Sequence, residues 1–421
     1  MSGSKEQLTP VMYSLVPPIL IFPAMSIMRG FFQGHNNMKP YAISQILEQI
    51  ARVIWIWGAT FFIMKLGSGD YLQAVVQSTF GAFVGMVASI AVLLFALQKG
   101  GYIARVLKKP ESAISIDLKA LIVETVKEAI PLIVIGSAIQ LYQFVDQITF
   151  VNFMEAITNF TKQELMVDYS YMISNPSKIT MVIIGVAGSI GSVAIPMITE
   201  SFVKKDIKGT SNLITDNIRM LSIVIIPAIV GTFILARPLY VVFYGASEAA
   251  AIGLFRANLL LISLQGLYTL FGVIIQGIFE NRKGIIFFIT GLVVKIILHF
   301  PFIYFFHAYG PLLSTAAGLF VSNALIFRRV DKVVGINKTA VRKNIMGISI
   351  LALMMGIAVF ALEVGLSQVL PPVGRMASLI HLILAGSVGV LIYAYLTLKT
   401  RQLDKLIGAK ADALRRKLRI S

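Results

Sequence analysis

Eleven apolar stretches, each long enough to cross a membrane, constrain this chain more than any other feature of its sequence. A hydrocarbon core about 30 Å thick needs roughly 20 apolar residues in a helix. The composition agrees, since 57% of the residues are hydrophobic and only 14% are charged. We therefore predict an all-α, polytopic membrane helical bundle. The predicted spans are A (10–30), B (41–64), C (72–97), D (128–151), E (179–201), F (219–236), G (252–279), H (284–306), I (310–327), J (345–366) and K (376–398).

The basic residues indicate how these spans are oriented. The A–B, C–D, E–F, G–H and I–J connections and the C-terminal tail contain 27 Lys and Arg, and the opposite set of loops contains seven. Cytoplasmic loops carry the excess of basic residues, so the C-terminus is predicted to be cytoplasmic. The net charge of +17 then reflects topology, and we predict no nucleic-acid partner. The tail, residues 399–421, is predicted to lie as a basic amphipathic helix on the anionic inner leaflet.

Span B carries a polar stripe on an otherwise apolar helix. Gln45, Glu48, Gln49 and Arg52 recur at i, i+3, i+4 and i+7, which places them on one face. Arg52 lies about 18 Å along the helix from Pro40, past the middle of the hydrocarbon core. A charge at that depth costs roughly 2.5–3.5 kcal/mol, so we expect it to face a partner or a wet cavity. The alternative is an i, i+4 pair with Glu48 that only neutralises both charges.

A second deep base suggests an internal repeat. Gln33 precedes Arg52 by 19 residues, and Gln276 precedes Lys295 by the same distance, each Gln being followed by Gly. Spans A–C then match G–I, which predicts two parallel lobes, the first incomplete, plus two additional C-terminal helices. The predicted regions are a partial N-terminal lobe (1–98), a cytoplasmic linker (99–127), a six-helix lobe (128–330), two additional helices (345–398) and the tail (399–421). The topology and the repeat both suggest an N-terminally shortened form of a fourteen-span protein.

Other polar residues in or beside the spans are weaker candidates. Asp146 and Gln143 lie towards the outer end of span D. Three interpretations of this pair stay open: an outer gate, an ion-linked site, and a solvated helix end. Glu200 and Arg219 flank the E–F loop and are candidates for an inner latch. Arg29, at the cytoplasmic end of span A, is either an interfacial anchor or a ligand.

Several chemistries are excluded or unsupported. The chain has no cysteine, which rules out disulfides and thiolate catalysis, and its four histidines are scattered without metal-ligand spacing. No nucleotide-binding motif or catalytic constellation is present, so we predict neither an enzyme nor a primary pump, and no cofactor or metal.

The segment R-G-F-F-Q-G-H-N-N-M at 29–38, followed by Ser44-Gln45, Glu48-Gln49 and Arg52, resembles a known family. It is similar to the lipid-linked polysaccharide flippases of the multidrug/oligosaccharidyl-lipid/polysaccharide exporter superfamily, in their MurJ/SpoVB-like Gram-positive branch. The resemblance implies two six-helix lobes around a central cavity, in a multi-pass protein of the bacterial plasma membrane. It also implies export of an undecaprenyl-diphosphate-linked saccharide, with lipid II, the peptidoglycan precursor, as the leading candidate. Cell-wall synthesis proteins are then candidate partners. The arginines that the family carries in its first two helices would fall in the part expected to be missing, and they cannot be carried over to this sequence.

An anionic lipid-diphosphate with many hydroxyl groups needs cations and amides along its path. This assigns Arg52, Glu48, Lys295 and Arg29 to a substrate cavity, and amide side chains join them at Gln33, Gln45, Gln49 and Gln276. Two alternatives stay open: a cation-coupled multidrug antiporter of the same superfamily, and an inactive truncated product. The sequence does not fix the coupling ion or the oligomeric state.

Overall fold

The structure, a computed structural model, describes residues 5–35, 37–107, 117–245, 248–404 and 408–417. Over these residues every regular element is a helix, which confirms the all-α class. The helices are α1 (Lys5–Ser14), α2 (Val16–Gly34), α3 (Met38–Phe61), α4 (Tyr71–Lys99), α5 (Tyr102–Leu107), α6 (Leu118–Gly136), α7 (Ala138–Ile157), α8 (Lys162–Tyr169), α9 (Asn175–Val203), α10 (Ile207–Ile234), α11 (Ala236–Tyr244), α12 (Ala249–Gly277), α13 (Asn281–Phe306), α14 (Gly310–Val334), α15 (Lys338–Val369), α16 (Arg375–Lys399) and α17 (Ala409–Lys417).

Nine helical stretches of the described residues are long and apolar enough to cross a membrane, against eleven predicted spans. One of the nine, Asn281–Val334, contains both α13 and α14, which are separated by a short 3₁₀ turn at His307–Tyr309. Spans H and I are therefore both present in it. Each of the eleven predicted spans overlaps at least one helix.

The boundaries of span D were predicted wrongly. The segment forms two helices, α6 and α7, that meet at Ser137 instead of one helix over 128–151. The backbone N–H and the hydroxyl of Ser137 both donate to the Ile133 carbonyl, at 2.9 and 2.6 Å, where α6 ends. Helix α6 also begins inside the predicted 99–127 linker, because the Asp117 side chain accepts from the N–H groups of Lys119 and Ala120 and caps it.

The chain divides into two compact units, Met1–Ile116 and Asp117–Ser421. Unit 1 contains α1 to α5, and its small core is formed by Met25, Phe32 and Leu93. Helices α3 and α4 pack against each other at Gly85, where a Cβ atom would lie 2.6 Å from the Glu48 carbonyl oxygen. A glycine at this crossing allows the two backbones to approach closely, as in many membrane helix pairs.

Unit 2 contains α6 to α17, with a large core among α7, α9, α10, α12, α13 and α14. Its hairpin of α13 and α14 also closes on glycines, since a Cβ on Gly291 would lie 2.4 Å from the Gly318 carbonyl oxygen. The two hairpins share one arrangement. In α3 the close crossing lies at Glu48, and Arg52 follows it by one helical turn. In α13 the close crossing lies at Gly291, and Lys295 follows it by one helical turn.

Candidate functional site

A cluster of three charged side chains, Arg29, Glu48 and Arg52, lies inside unit 1; we call it the arginine cluster. One Glu48 carboxylate oxygen accepts from Arg29 at 2.7 Å and the other accepts from Arg52 at 2.8 Å. Arg29 also donates to Ser44 at 3.1 Å and to Ser89 at 2.9 Å, so three helices contribute to the cluster. Two guanidinium groups share one carboxylate, which leaves the cluster with a net charge of +1.

The sequence left open that Glu48 and Arg52 only neutralise each other. The i, i+4 pair is present, but Glu48 is also neutralised by Arg29, which is the more buried of the two arginines. Arg52 keeps 30% of its side chain exposed, and its Nε has no hydrogen-bond partner among the described residues. Part of the Arg52 side chain therefore reaches the surface of unit 1, while its unpaired Nε is buried.

The amide side chains predicted near this cluster lie at the surface of unit 1. Gln45 and Gln49 are exposed along α3, and Gln33 is exposed near the end of α2. Arg29 does not have the contacts of an interfacial anchor. Its guanidinium points between helices and bonds to Ser44, Glu48 and Ser89. The spacing along the chain could not reveal this contact, since it depends on how α2 packs against α3 and α4.

A second cluster, Asp146, Lys295 and His299, lies inside unit 2; we call it the buried triad. Lys295 is 0% exposed, and its Nζ donates to the Tyr142 carbonyl at 2.6 Å and to Asp146 Oδ1 at 2.8 Å. Its third hydrogen bond goes to Thr315 Oγ1 at 2.7 Å. The solvated helix end considered for Asp146 is thereby excluded, because Asp146 is also buried.

His299 was missed by the sequence reasoning. It follows Lys295 by one turn of α13, is fully buried, and places Nδ1 3.6 Å from Asp146 Oδ1. Its Nε2 lies 2.7 Å from Thr149 Oγ1 on α7. The signal available in the sequence was the i, i+4 spacing of two ionisable residues on an apolar helix, which gains meaning only beside Asp146. Gln143, by contrast, is half-buried on α7 and makes no hydrogen bond to the triad among the described residues.

The predicted latch between Glu200 and Arg219 is wrong for this structure. Glu200 is exposed and pairs with Lys204, its neighbour one turn along α9. Arg219 is buried and donates to the backbone carbonyl of Gln402 at 3.0 Å and to its side-chain oxygen at 2.9 Å. Arg219 therefore holds the end of α16 and not the E–F loop.

Gln276 lies in unit 2 and lines a small cavity of about 140 Å³ beside α6 and α7. Tyr268, whose buried hydroxyl has no partner among the described residues, lines the same cavity. At this volume the cavity is too small for a saccharide.

The C-terminal tail contacts the end of α16. Arg415 donates to Asp404 Oδ1 at 2.6 Å and to the Leu398 carbonyl at 3.2 Å, and it also pairs with Asp412. These hydrogen bonds hold the pKa of Asp404 below its usual value. Part of the predicted amphipathic helix, at 405–407 and 418–421, lies outside the described residues.

Comparisons with known proteins agree on one family. A family model described as "Polysaccharide biosynthesis protein" matches residues 3–202. The lipid II flippase MurJ of Bacillus subtilis (strain 168) is 31% identical over 408 residues, which cover 95% of this chain and 74% of that protein. Stage V sporulation protein B of the same organism is 34% identical over 96 residues, covering 23% of this chain and 17% of that protein.

A solved structure shares the fold. The structure of a lipid II flippase MurJ in an inward closed conformation matches with a TM-score of 0.60 and 17% sequence identity. The match covers 93% of this chain and 74% of the chain compared. At that identity the likeness supports the fold alone.

Proposed function

This chain belongs to the MurJ family of lipid-linked saccharide flippases, and we propose that it exports lipid II across the bacterial plasma membrane. The observation that carries the proposal is the 31% identity to Bacillus subtilis MurJ over 95% of the chain. The resemblance seen in the sequence is thereby confirmed. The chain is a multi-pass membrane protein, with nine described stretches able to span a bilayer. Membership of a flippase family implies transport of the cargo and not its chemical conversion.

The arginine cluster has the chemistry that a lipid diphosphate requires. Its net positive charge lies on helices of membrane length, and the Arg52 side chain is partly exposed. Guanidinium groups bind phosphate oxygens through two parallel hydrogen bonds, which gives both strength and orientation. Gln45 and Gln49, exposed on the same helix, can donate to and accept from sugar hydroxyls. We assign the diphosphate to Arg52 and the sugar to these amides.

Arg29 and Glu48 then act as positioning residues. Glu48 holds the Arg52 guanidinium at 2.8 Å, and Arg29 holds the opposite oxygen of Glu48. A carboxylate fixed in this way presents Arg52 in one orientation without cancelling the positive charge of the whole cluster.

Lys295 is less accessible to the cargo than Arg52. Lys295 makes three hydrogen bonds inside unit 2 and is fully buried, so it can meet the cargo only if the buried triad opens. We propose that the triad opens during alternating access, because transporters built from repeats commonly expose their site to each side in turn. We also propose that the C-terminus is cytoplasmic, that the tail contacts anionic lipid, and that the chain associates with cell-wall synthesis proteins.

The proposal is tested by complementation in Bacillus subtilis depleted of its own MurJ. The wild-type chain should restore growth, whereas Arg52→Ala should fail at equal protein abundance. Arg52→Lys should restore part of the activity, since it keeps the charge and loses the planar fork. Lys65→Ala, which removes an exposed base of unit 1, is the matched control and should behave as wild type. Full growth with Arg52→Ala would contradict the assignment of this residue.

A further inference from the structure

The two charged clusters differ in whether their charge can change. In the arginine cluster both bases are arginines, which stay protonated at any physiological pH. In the buried triad the Asp146 carboxylate is shared by a lysine and a histidine, and each of these can lose its proton. Unit 1 therefore holds a fixed charge, and unit 2 holds a titratable one.

The hydrogen bonds around His299 identify the nitrogen that would gain a proton. The Thr149 hydroxyl donates to the Val145 carbonyl at 2.6 Å, so its oxygen accepts from His299 Nε2 at 2.7 Å. Nε2 therefore carries the hydrogen of the neutral ring. The Ser314 hydroxyl donates to the Pro311 carbonyl at 3.0 Å, so it offers no hydrogen to Nδ1, 3.3 Å away. Nδ1 thus faces two acceptors, Ser314 Oγ and, at 3.6 Å, Asp146 Oδ1.

In the described part of the chain, no other charged group lies within ion-pair distance of the triad. The other titratable groups close to it are phenols: Tyr142, whose ring centre lies 5.3 Å from Lys295 Nζ, with Tyr169 and Tyr268. Helix α14 contributes the neutral hydroxyls of Ser314 and Thr315. Among the described residues, the ion pairs of the triad are those that its members make with one another.

We propose that Asp146, Lys295 and His299 form a proton-binding site that links opening of unit 2 to protonation from water. With His299 neutral, the ammonium and the carboxylate cancel, and the triad is stable in a dry interior. One proton taken from water onto Nδ1 forms an imidazolium and gives the triad a net charge of +1. A buried unpaired charge is costly, so the protonated triad favours separation of α13 and α14 from α7 and entry of water.

This site deepens the proposed function. Only the link between opening and flipping rests on that function; proton binding and opening do not. The Lys295 ammonium already takes three oxygen ligands from α7 and α14, as a bound cation would. The inference is that the chain supplies its own cation here and exchanges protons with the solvent. Flipping would then be linked to the proton gradient through unit 2, while the arginine cluster binds the anionic cargo in unit 1.

The chain contains no cysteine, so a single introduced thiol can report the opening of the triad. Leu319, fully buried on α14 one turn after Thr315, is replaced by cysteine in Leu319→Cys. Labelling by a water-soluble maleimide is measured between pH 5 and 8.5 in proteoliposomes. The rate is divided by that of Ser68→Cys, an exposed position in the loop between α3 and α4, because thiol reactivity itself depends on pH.

The expected ratio rises as the pH falls, with a slope of up to about tenfold per pH unit for uptake of one proton. Adding His299→Gln, which cannot titrate, should remove this slope, and so should Asp146→Asn, which removes the carboxylate that faces Nδ1. Adding His381→Gln, which removes a buried histidine that pairs with Glu363 outside the triad, should leave the slope unchanged.

A flat ratio in the reporter chain, or an unchanged slope in His299→Gln and Asp146→Asn, would overturn the proposal. If one of these two variants is not recovered as a folded protein by size-exclusion chromatography, the other decides. The assay contains no cargo, so its result stands whether or not the flippase proposal holds.

Discussion

The close approach of α3 and α4 at Gly85 gives a direct physical test of how the arginine cluster is held. Gly85→Ala adds a Cβ that would lie 2.6 Å from the Glu48 carbonyl oxygen, 3.2 Å from Arg52 Cβ and 3.3 Å from Glu48 Cγ. The nearest of these atoms belongs to the backbone, so α3 itself must move. Overpacking of this kind costs about 1–3 kcal/mol, and the better helix propensity of alanine returns up to about 1 kcal/mol. With the full return, the net loss is at most about 2 kcal/mol.

Gly58→Ala is the matched control, because nothing lies within 4 Å of the added Cβ at that position on α3. It should gain up to about 1 kcal/mol from helix propensity alone. Thermal unfolding in detergent, followed by size-exclusion chromatography of the surviving monodisperse protein, compares the two variants with wild type. Gly85→Ala should unfold at a lower temperature and Gly58→Ala at an equal or higher one. Equal unfolding temperatures for the two variants would refute the packing of α3 on α4 described above.

Three further predictions follow from the charged groups. Because Glu48 also pairs with Arg29, the double variant Glu48→Gln with Arg52→Gln should not restore growth in the depleted strain, and full rescue would mean that Arg52 serves only to neutralise Glu48. Lys295→Met should destabilise unit 2 by about 3–5 kcal/mol, since it leaves a buried carboxylate unpaired; thermal unfolding no different from wild type would contradict this. The Asp404–Arg415 pair lowers the pKa of Asp404, so it stabilises the tail above the ordinary carboxyl pKa of about 3.9 and loses that contribution as the pH falls through the lowered value. Polarisation of a dye attached in α17 should therefore stay constant from pH 8 to 5 and fall only in stronger acid, and a change between pH 5 and 8 would speak against the pair.

The sequence predicted the membrane-spanning helices well because their signal is local. Length and apolar composition decide a span, and ten of the eleven predicted spans, all except D, overlap a described stretch that is able to cross a membrane. Span D was predicted as one helix because serine in a membrane helix does not usually break it, whereas in the structure α6 ends and α7 begins at Ser137. The cap at Asp117 was also overlooked, which placed the start of α6 too late in the chain.

The contacts between side chains were less predictable, because they depend on which helices meet. Arg29 and Glu48 are separated by 19 residues and lie on different helices, so no periodic pattern connects them. Asp146 and Lys295 are 149 residues apart, and only the packing of α7 on α13 brings them together. The i, i+4 pair of Glu48 with Arg52 was within reach of the sequence because it lies on one helix. Which of these residues meet the cargo stays a prediction.

Transport of lipid II by the purified chain tests the central claim most directly. Proteoliposomes containing lipid II with a fluorescent headgroup are treated with a membrane-impermeant quencher, which reaches only the outer leaflet. We predict that quenching becomes complete with the wild-type chain and Lys65→Ala, and that Arg52→Ala slows it at least tenfold. Quenching that stops at the outer-leaflet fraction, as in protein-free vesicles, while the reconstituted chain remains folded, would contradict the claim that this chain is a lipid II flippase.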